Sequence, residues 1–213
     1  MENKMKLWDN TKLINRKETL RYLGYGKHQP TEDILQTLQE CELELKQVMQ
    51  PDYVFLTTEI QRTKEGILTQ QGGLLLTGNS ILKHLSGCDR AVFSCCTLGK
   101  AVDDKIEEFQ KQDMLKALLL DAAANAAIEE VRRFVEDQVA KNYPDDEVIW
   151  QFGVGYGDLP LSLQPKLLDL LQAKEKIGVC VNSSLLLIPL KSVSGIMGLR
   201  KKNSEDIYRK LPD

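Results

Sequence analysis

The residues with the strongest claim on chemistry are Gln151-Phe152-Gly153-Val154-Gly155-Tyr156-Gly157-Asp158, followed by Leu159-Pro160-Leu161. Three alternating glycines around one tyrosine are expensive in chain entropy, because glycine surrenders more backbone freedom on folding than any other residue. They let the main chain approach another group closely and leave N–H groups able to bind it. The spacing is Gly-x-Gly-x-Gly, and no βαβ unit of about thirty residues surrounds it, so this is not a dinucleotide fingerprint. On its residues alone the segment is either a plain strand-to-helix turn or the wall of a small-molecule pocket.

The other reactive side chains exclude more than they offer. The five cysteines, Cys41, Cys88, Cys95, Cys96 and Cys180, are odd in number and contain no Cys-x-x-Cys pair, which argues against a disulfide framework and a structural zinc site. Cys95-Cys96 ends an apolar run, where cysteine usually serves as a small core residue. His28 and His84 are the only histidines and are far apart, and Ser183-Ser184 and Ser192 show no acid–base partner. No catalytic residue and no metal ligand is expected. Charges are mixed along the chain and sum to −3, whereas a nucleic-acid partner calls for clustered Lys and Arg. The one basic run, Arg200-Lys201-Lys202, reads as a solvated turn. No apolar stretch is long enough to span a bilayer, and Met1 to Asn10 lacks a signal-peptide apolar segment. The expected setting is the cytoplasm.

Positioning such a turn needs a core, and 42% apolar residues in 213 are enough for one domain. Arg16 to Tyr25 reads as a short helix ended by Gly24 and Gly26. Thr31 is placed to cap an amphipathic helix carrying Ile34, Leu35, Leu38, Cys41, Leu45 and Val48, stopped by Pro51. Tyr53 to Arg62 is rich in β-branched and aromatic residues and reads as a strand, with a second at Leu74 to Thr77. A helix over 78–85, a buried strand over 90–96 and helices over 100–110 and 114–141 follow. Then come a strand at 148–152, the glycine-rich turn, a helix over 163–172, and strands at 178–181, 185–188 and 192–199. Short neighbouring strands near the end favour antiparallel pairing, so the fold class expected is α+β, an antiparallel sheet packed with helices. The chain reads as a single domain over 1–213, with a helical N-terminal segment over 1–50 packed against a core over 53–200.

Several segments, taken together and in order, resemble one family. They are Gly155-Tyr156-Gly157-Asp158-Leu159-Pro160-Leu161 with Gln164, Leu170-Leu171-Gln172-Ala173, Lys176-Ile177-Gly178-Val179, and Pro189-Leu190-Lys191-Ser192-Val193-Ser194-Gly195. They are similar to the S-adenosylmethionine-binding activation, or reactivation, domain of cobalamin-dependent methionine synthase. Cys96-Thr97-Leu98-Gly99 and the long helix from Met114 fit the smaller members. The resemblance covers roughly residues 53–200.

The resemblance implies an accessory protein for a separately encoded cobalamin-dependent methyltransferase. It would hold S-adenosylmethionine over the partner's cobalamin while a flavodoxin-like donor supplies an electron. Cobalamin would enter only through the partner, since no Asp-x-His-x-x-Gly motif surrounds either histidine. Gly153, Gly155 and Tyr156 would line the methyl-donor pocket, with the tyrosine ring on the ligand; otherwise Tyr156 is a buried aromatic of the turn. Glu129 lies where the family has an acidic ligand contact. By helical spacing it shares a face with Ala122, Ala126 and Arg133, so it meets either a cationic ligand or, four residues on, Arg133. Gln151 stands where the family's motif has arginine. A neutral amide in place of a charged fork forfeits ~1.5–3 kcal/mol of contact with a ligand carboxylate. Two functions follow: a reactivation protein binding S-adenosylmethionine weakly, or a corrinoid-protein docking module that no longer binds it. On the first, Gln151→Arg should tighten binding; on the second, neither protein binds.

Overall fold

Arg90 to Thr97 is apolar or small at nearly every position because it lies at the centre of a sheet covered on both faces. The structure, a computed structural model, describes residues 9–26 and 28–202. In chain order its elements are α1 (Arg16–Tyr22), α2 (Glu32–Val48), β1 (Asp52–Arg62), β2 (Ile67–Thr69), β3 (Leu75–Leu76), α3 (Asn79–His84), β4 (Arg90–Thr97), α4 (Lys100–Gln112) and α5 (Met114–Asn142). There follow β5 (Asp146–Gly153), α6 (Gln164–Leu171), α7 (Ala173–Ile177), β6 (Cys180–Val181), β7 (Leu187–Ile188) and β8 (Ser192–Lys201). Six strands form one sheet in the order β3-β2-β1-β4-β8-β5, and all its pairings are antiparallel. β6 and β7 make a separate antiparallel pair. The α+β class expected from the sequence is the one found.

α5 explains the shape of one face. Its interior is a run of small residues, with Ala122, Ala123, Ala124, Ala126 and Ala127 all buried. A helix apolar around most of its circumference is one enclosed by neighbours. α5 lies on β4, β8 and β5, and α1, α2 and α4 lie on α5. Val92, Cys96, Met197 and Leu199 face this layer. On the other face Phe93, Cys95 and Ile196 pack with Leu167, Leu168 and Leu171 of α6. The N-terminal helices therefore reach the sheet mainly through α5 and not by packing on it directly, because the Ala-rich helix already occupies that face.

Several boundaries differ from expectation for local reasons. Thr31 precedes α2 but makes no side-chain capping bond; Glu32 and Asp33 fill the first turn instead, where negative charge suits the helix dipole. β2 and α7 are too short for periodicity to reveal. Arg200 and Lys201 are not in a turn. They extend β8, where Arg200 pairs with Glu147 at 2.6 Å and Lys201 with buried Asp146 at 3.1 Å. Arg90 closes on the same Asp146 at 2.5 Å. Burial pushes the Asp146 carboxyl up, but Lys201 and Arg90 outweigh it and hold the group below its ordinary range. The polar segment 1–8 lies outside the described residues. Among the described residues, no helix is long and apolar enough to cross a membrane.

Candidate functional site

Pairing between β5 and β8 slips once, between Ile149 and Phe152. Ile149 stands opposite Gly198 and Phe152 opposite Ile196, so three residue steps on β5 match two on β8. This is a β-bulge, which turns a side chain to the opposite face and leaves a backbone group unpaired. Simple alternation from Ile149 would send Gln151 toward α6. The bulge sends it toward α5, where its Oε1 accepts from the Ser94 hydroxyl at 2.8 Å. The freed Gln151 N–H donates to Glu136 Oε1 of α5 at 2.9 Å.

Gly195 makes this crossing possible. A Cβ there would stand 2.6 Å from Gln151 Cγ and 2.6 Å from the Phe152 carbonyl oxygen. α3 braces the bulge from the other side. His84 Nε2 lies 2.9 Å from the Trp150 carbonyl, and its ring meets those of Trp150 and Phe152 at 4.5 and 5.1 Å. His84 is thus a boundary residue, and burial lowers its pKa from the ordinary value.

Past the bulge the glycines do separate jobs. The Tyr156 N–H donates to the Gly153 carbonyl at 3.2 Å, closing a tight turn. Gly155 occupies the left-handed region at φ +86° with Leu161 pressed against it, and a Cβ would lie 3.0 Å from Leu161 Cδ1. Gly153 carries the Tyr156 ring, whose Cδ2 would be 3.0 Å from a Cβ. The turn ends on Asp158, whose carboxylate accepts the N–H groups of Asn79 and Ser80 at 2.6 and 2.9 Å and so caps α3.

Between α5, the bulge and the turn lies an open cavity of about 460 Å³. Glu129, Gln151, Gly153 and Tyr156 line it, and Gly155 does not; it shapes the turn from behind. Tyr156 is 74% exposed, so it is not the buried aromatic that one reading of the turn required. Trp150, also largely exposed, Phe152 and Val193 add apolar wall. Glu129 does not pair with Arg133. Asn15 holds Glu130 at 2.7 Å, and Glu130 takes Arg133 at 2.7 Å. Glu129 instead accepts from Arg132 Nε at 2.8 Å, and Arg132 Nη1 donates to Glu136 Oε1. Two carboxylates against one guanidinium leave the cavity with one negative charge in excess. Glu136 was open to discovery from helical spacing, seven residues beyond Glu129 on one face. Trp150 was not, because nothing in the sequence marks the bulge. Cys95 and Cys96 are buried in the core, and burial, reinforced by the Glu129 carboxylate, pushes the Cys96 thiol up to about 12.

The backbone matches that of a solved structure. The MetH reactivation domain bound to AdoHcy superimposes with a TM-score of 0.69 and 14% sequence identity, over 92% of this chain and 76% of that one. The fold is that of the MetH reactivation domain. No family model and no curated protein matches the chain. The reactivation-domain fold therefore stands on the path of the backbone, and the site's chemistry on the residues of this chain.

Proposed function

We propose that this protein binds S-adenosylmethionine in the cavity between α5 and the β5 bulge, and serves reductive reactivation of a separately encoded cobalamin-dependent methionine synthase or a related corrinoid methyltransferase. The observation that carries the reading is the cavity's excess negative charge beside an exposed aromatic, in a fold whose solved counterpart holds AdoHcy. S-Adenosylmethionine bears an ammonium, a carboxylate and a sulfonium, a net single positive charge. Bound, it supplies the methyl group for a partner's reduced cobalt, the electron coming from a flavodoxin-like donor and the sulfur leaving as a neutral thioether.

The chain's own residues orient that donor. Glu129 faces its cationic end, Gly153 lets the backbone approach, Tyr156 offers a ring to pack on the ligand, and Gly155 holds the turn in shape. Gln151 keeps its amide nitrogen as a neutral donor while its oxygen is tied to Ser94. The cavity is open, as direct transfer to a partner's cobalt requires, so the docking face includes the glycine-rich turn. The setting is cytoplasmic methionine biosynthesis.

A second reading, a corrinoid-protein docking module without the methyl donor, is favoured by Gln151 standing where the resembling family has arginine. The experiment mixes the protein, a reductant and methyl-labelled S-adenosylmethionine with a cobalamin-loaded methyltransferase that lacks such a domain. Label on the partner's corrinoid, dependent on this protein, is expected. Co-purification with the partner but no label transfer supports the docking reading, and recovery equal to an unrelated control ends both.

A further inference from the structure

Glu129, Arg132 and Glu136 follow one another along a single face of α5, acid, base, acid, and all three line the cavity. The Arg132 side chain is 19% exposed. Its Nε and Nη1 are taken by Glu129 and Glu136. Its Nη2 amino group has no hydrogen-bond partner among the described residues. A guanidinium held at two corners with a third group spare is ready for a carboxylate, because the flanking acids have already fixed its plane. Position 151 brings no charge to the same cavity, so Arg132 is the lone cationic side chain among those lining it.

We propose that this row reads the amino-acid end of a sulfonium ligand: Arg132 takes the α-carboxylate, the two glutamates share the ammonium and the sulfonium, and the cavity therefore prefers the sulfonium to the thioether. The inference rests on the methyl-donor reading of the cavity and names what the site selects. An ammonium and a carboxylate share one carbon, and the sulfonium stands at the end of a short chain from it. The ligand's charges, plus, minus, plus, complement the protein's minus, plus, minus. Once the methyl has gone, the sulfur is neutral and one glutamate loses its counter-charge in a partly enclosed site. The spent ligand is then held less tightly than the donor that replaces it. Losing one charge-assisted contact corresponds to a preference on the order of 10-fold.

Calorimetric titration with three probes tests this: S-adenosylmethionine, S-adenosylhomocysteine, and methylthioadenosine, which has neither carboxylate nor ammonium. The native protein should bind the sulfonium about 10-fold tighter than its thioether. Arg132→Met should weaken both amino-acid ligands and leave methylthioadenosine unchanged. Arg132→Lys, which keeps the charge without the fork, should recover part of the loss, and it replaces the methionine variant if that one fails to fold. The double change Glu129→Gln with Glu136→Gln should bring the sulfonium-to-thioether ratio near unity. Equal affinity for the two in the native protein, or undisturbed binding in a folded Arg132 variant, overturns the proposal and leaves the methyl-donor reading standing. No binding of any of the three ends both.

Discussion

β1 and β5 both flank the central strands, and they do so differently. β1 runs beside β4 in unbroken register from Asp52 opposite Thr97 to Glu59 opposite Arg90. β5 runs beside β8 with one slip, between Ile149 and Phe152. In the regular ladder, alternation alone decides which side chain meets which helix layer, and both faces fill with apolar groups. At the slip, alternation fails for the one polar side chain that must reach α5, and a backbone N–H is released to Glu136. The regular ladder makes the fold; the irregular one makes the cavity.

The contrast can be broken hardest from the regular side. Phe93 of β4 is fully buried between the layers, so Phe93→Ala should cost about 3–5 kcal/mol of stability. Denaturant unfolding should show an earlier midpoint with an unchanged slope. Gly195→Ala strikes the bulge instead. Its new methyl collides with Gln151 and the Phe152 carbonyl, so the strand must shift or Gln151 must leave Ser94. An overpacking loss of about 1–3 kcal/mol is expected. Unlike Phe93→Ala, this change should abolish ligand binding at temperatures where the protein is still folded, as parallel melting and titration would show.

The smallest effects are those of pH on the elements bracing the bulge. Burial disfavours the charged form of His84, so its pKa lies below the ordinary 6.5. As pH falls through 6.5 the unfolded chain takes up a proton that the native state does not, and stability drops until the folded pKa is reached. Asp158 acts in a lower window. The backbone N–H of Ser80 and then its hydroxyl hold the carboxyl below 3.8. Its contribution is present above 3.8 and is lost as pH falls through the lowered value. Melting temperatures across this range for the native protein, His84→Gln and Asp158→Asn should separate the two windows, each variant flattening one of them.

What could be read from the sequence divides along the same line. β1, β4, α5 and β8 follow from apolar runs and period, which act over many residues and outvote local exceptions. The glycine-rich turn announced itself because three glycines at Gly153, Gly155 and Gly157 are costly unless a turn needs them. Spacing alone does not choose the partner of Glu129, because Arg132 and Arg133 both fall within its reach on a helix, and it is Arg132 that pairs with it. Asn15, more than a hundred residues away in sequence, settles the matter through Glu130. The bulge left no mark at all: Ile149-Trp150-Gln151-Phe152 is an ordinary strand sequence, and the slip appears only against Gly198 to Ile196 on β8. Long-range pairings of this kind, not local propensity, complete the cavity.

If the bulge and α5 together form a site for S-adenosylmethionine, Trp150 on the cavity wall reports its filling. The chain has only one other tryptophan, Trp8, so a Trp8→Phe protein carries a single fluorophore beside the site. Titrating S-adenosylmethionine into that protein should change Trp150 emission saturably, and Gly195→Ala in the same background should remove the response. A folded Trp8→Phe protein whose emission stays flat, with calorimetry showing no heat of binding, would rule out a site for S-adenosylmethionine in this cavity.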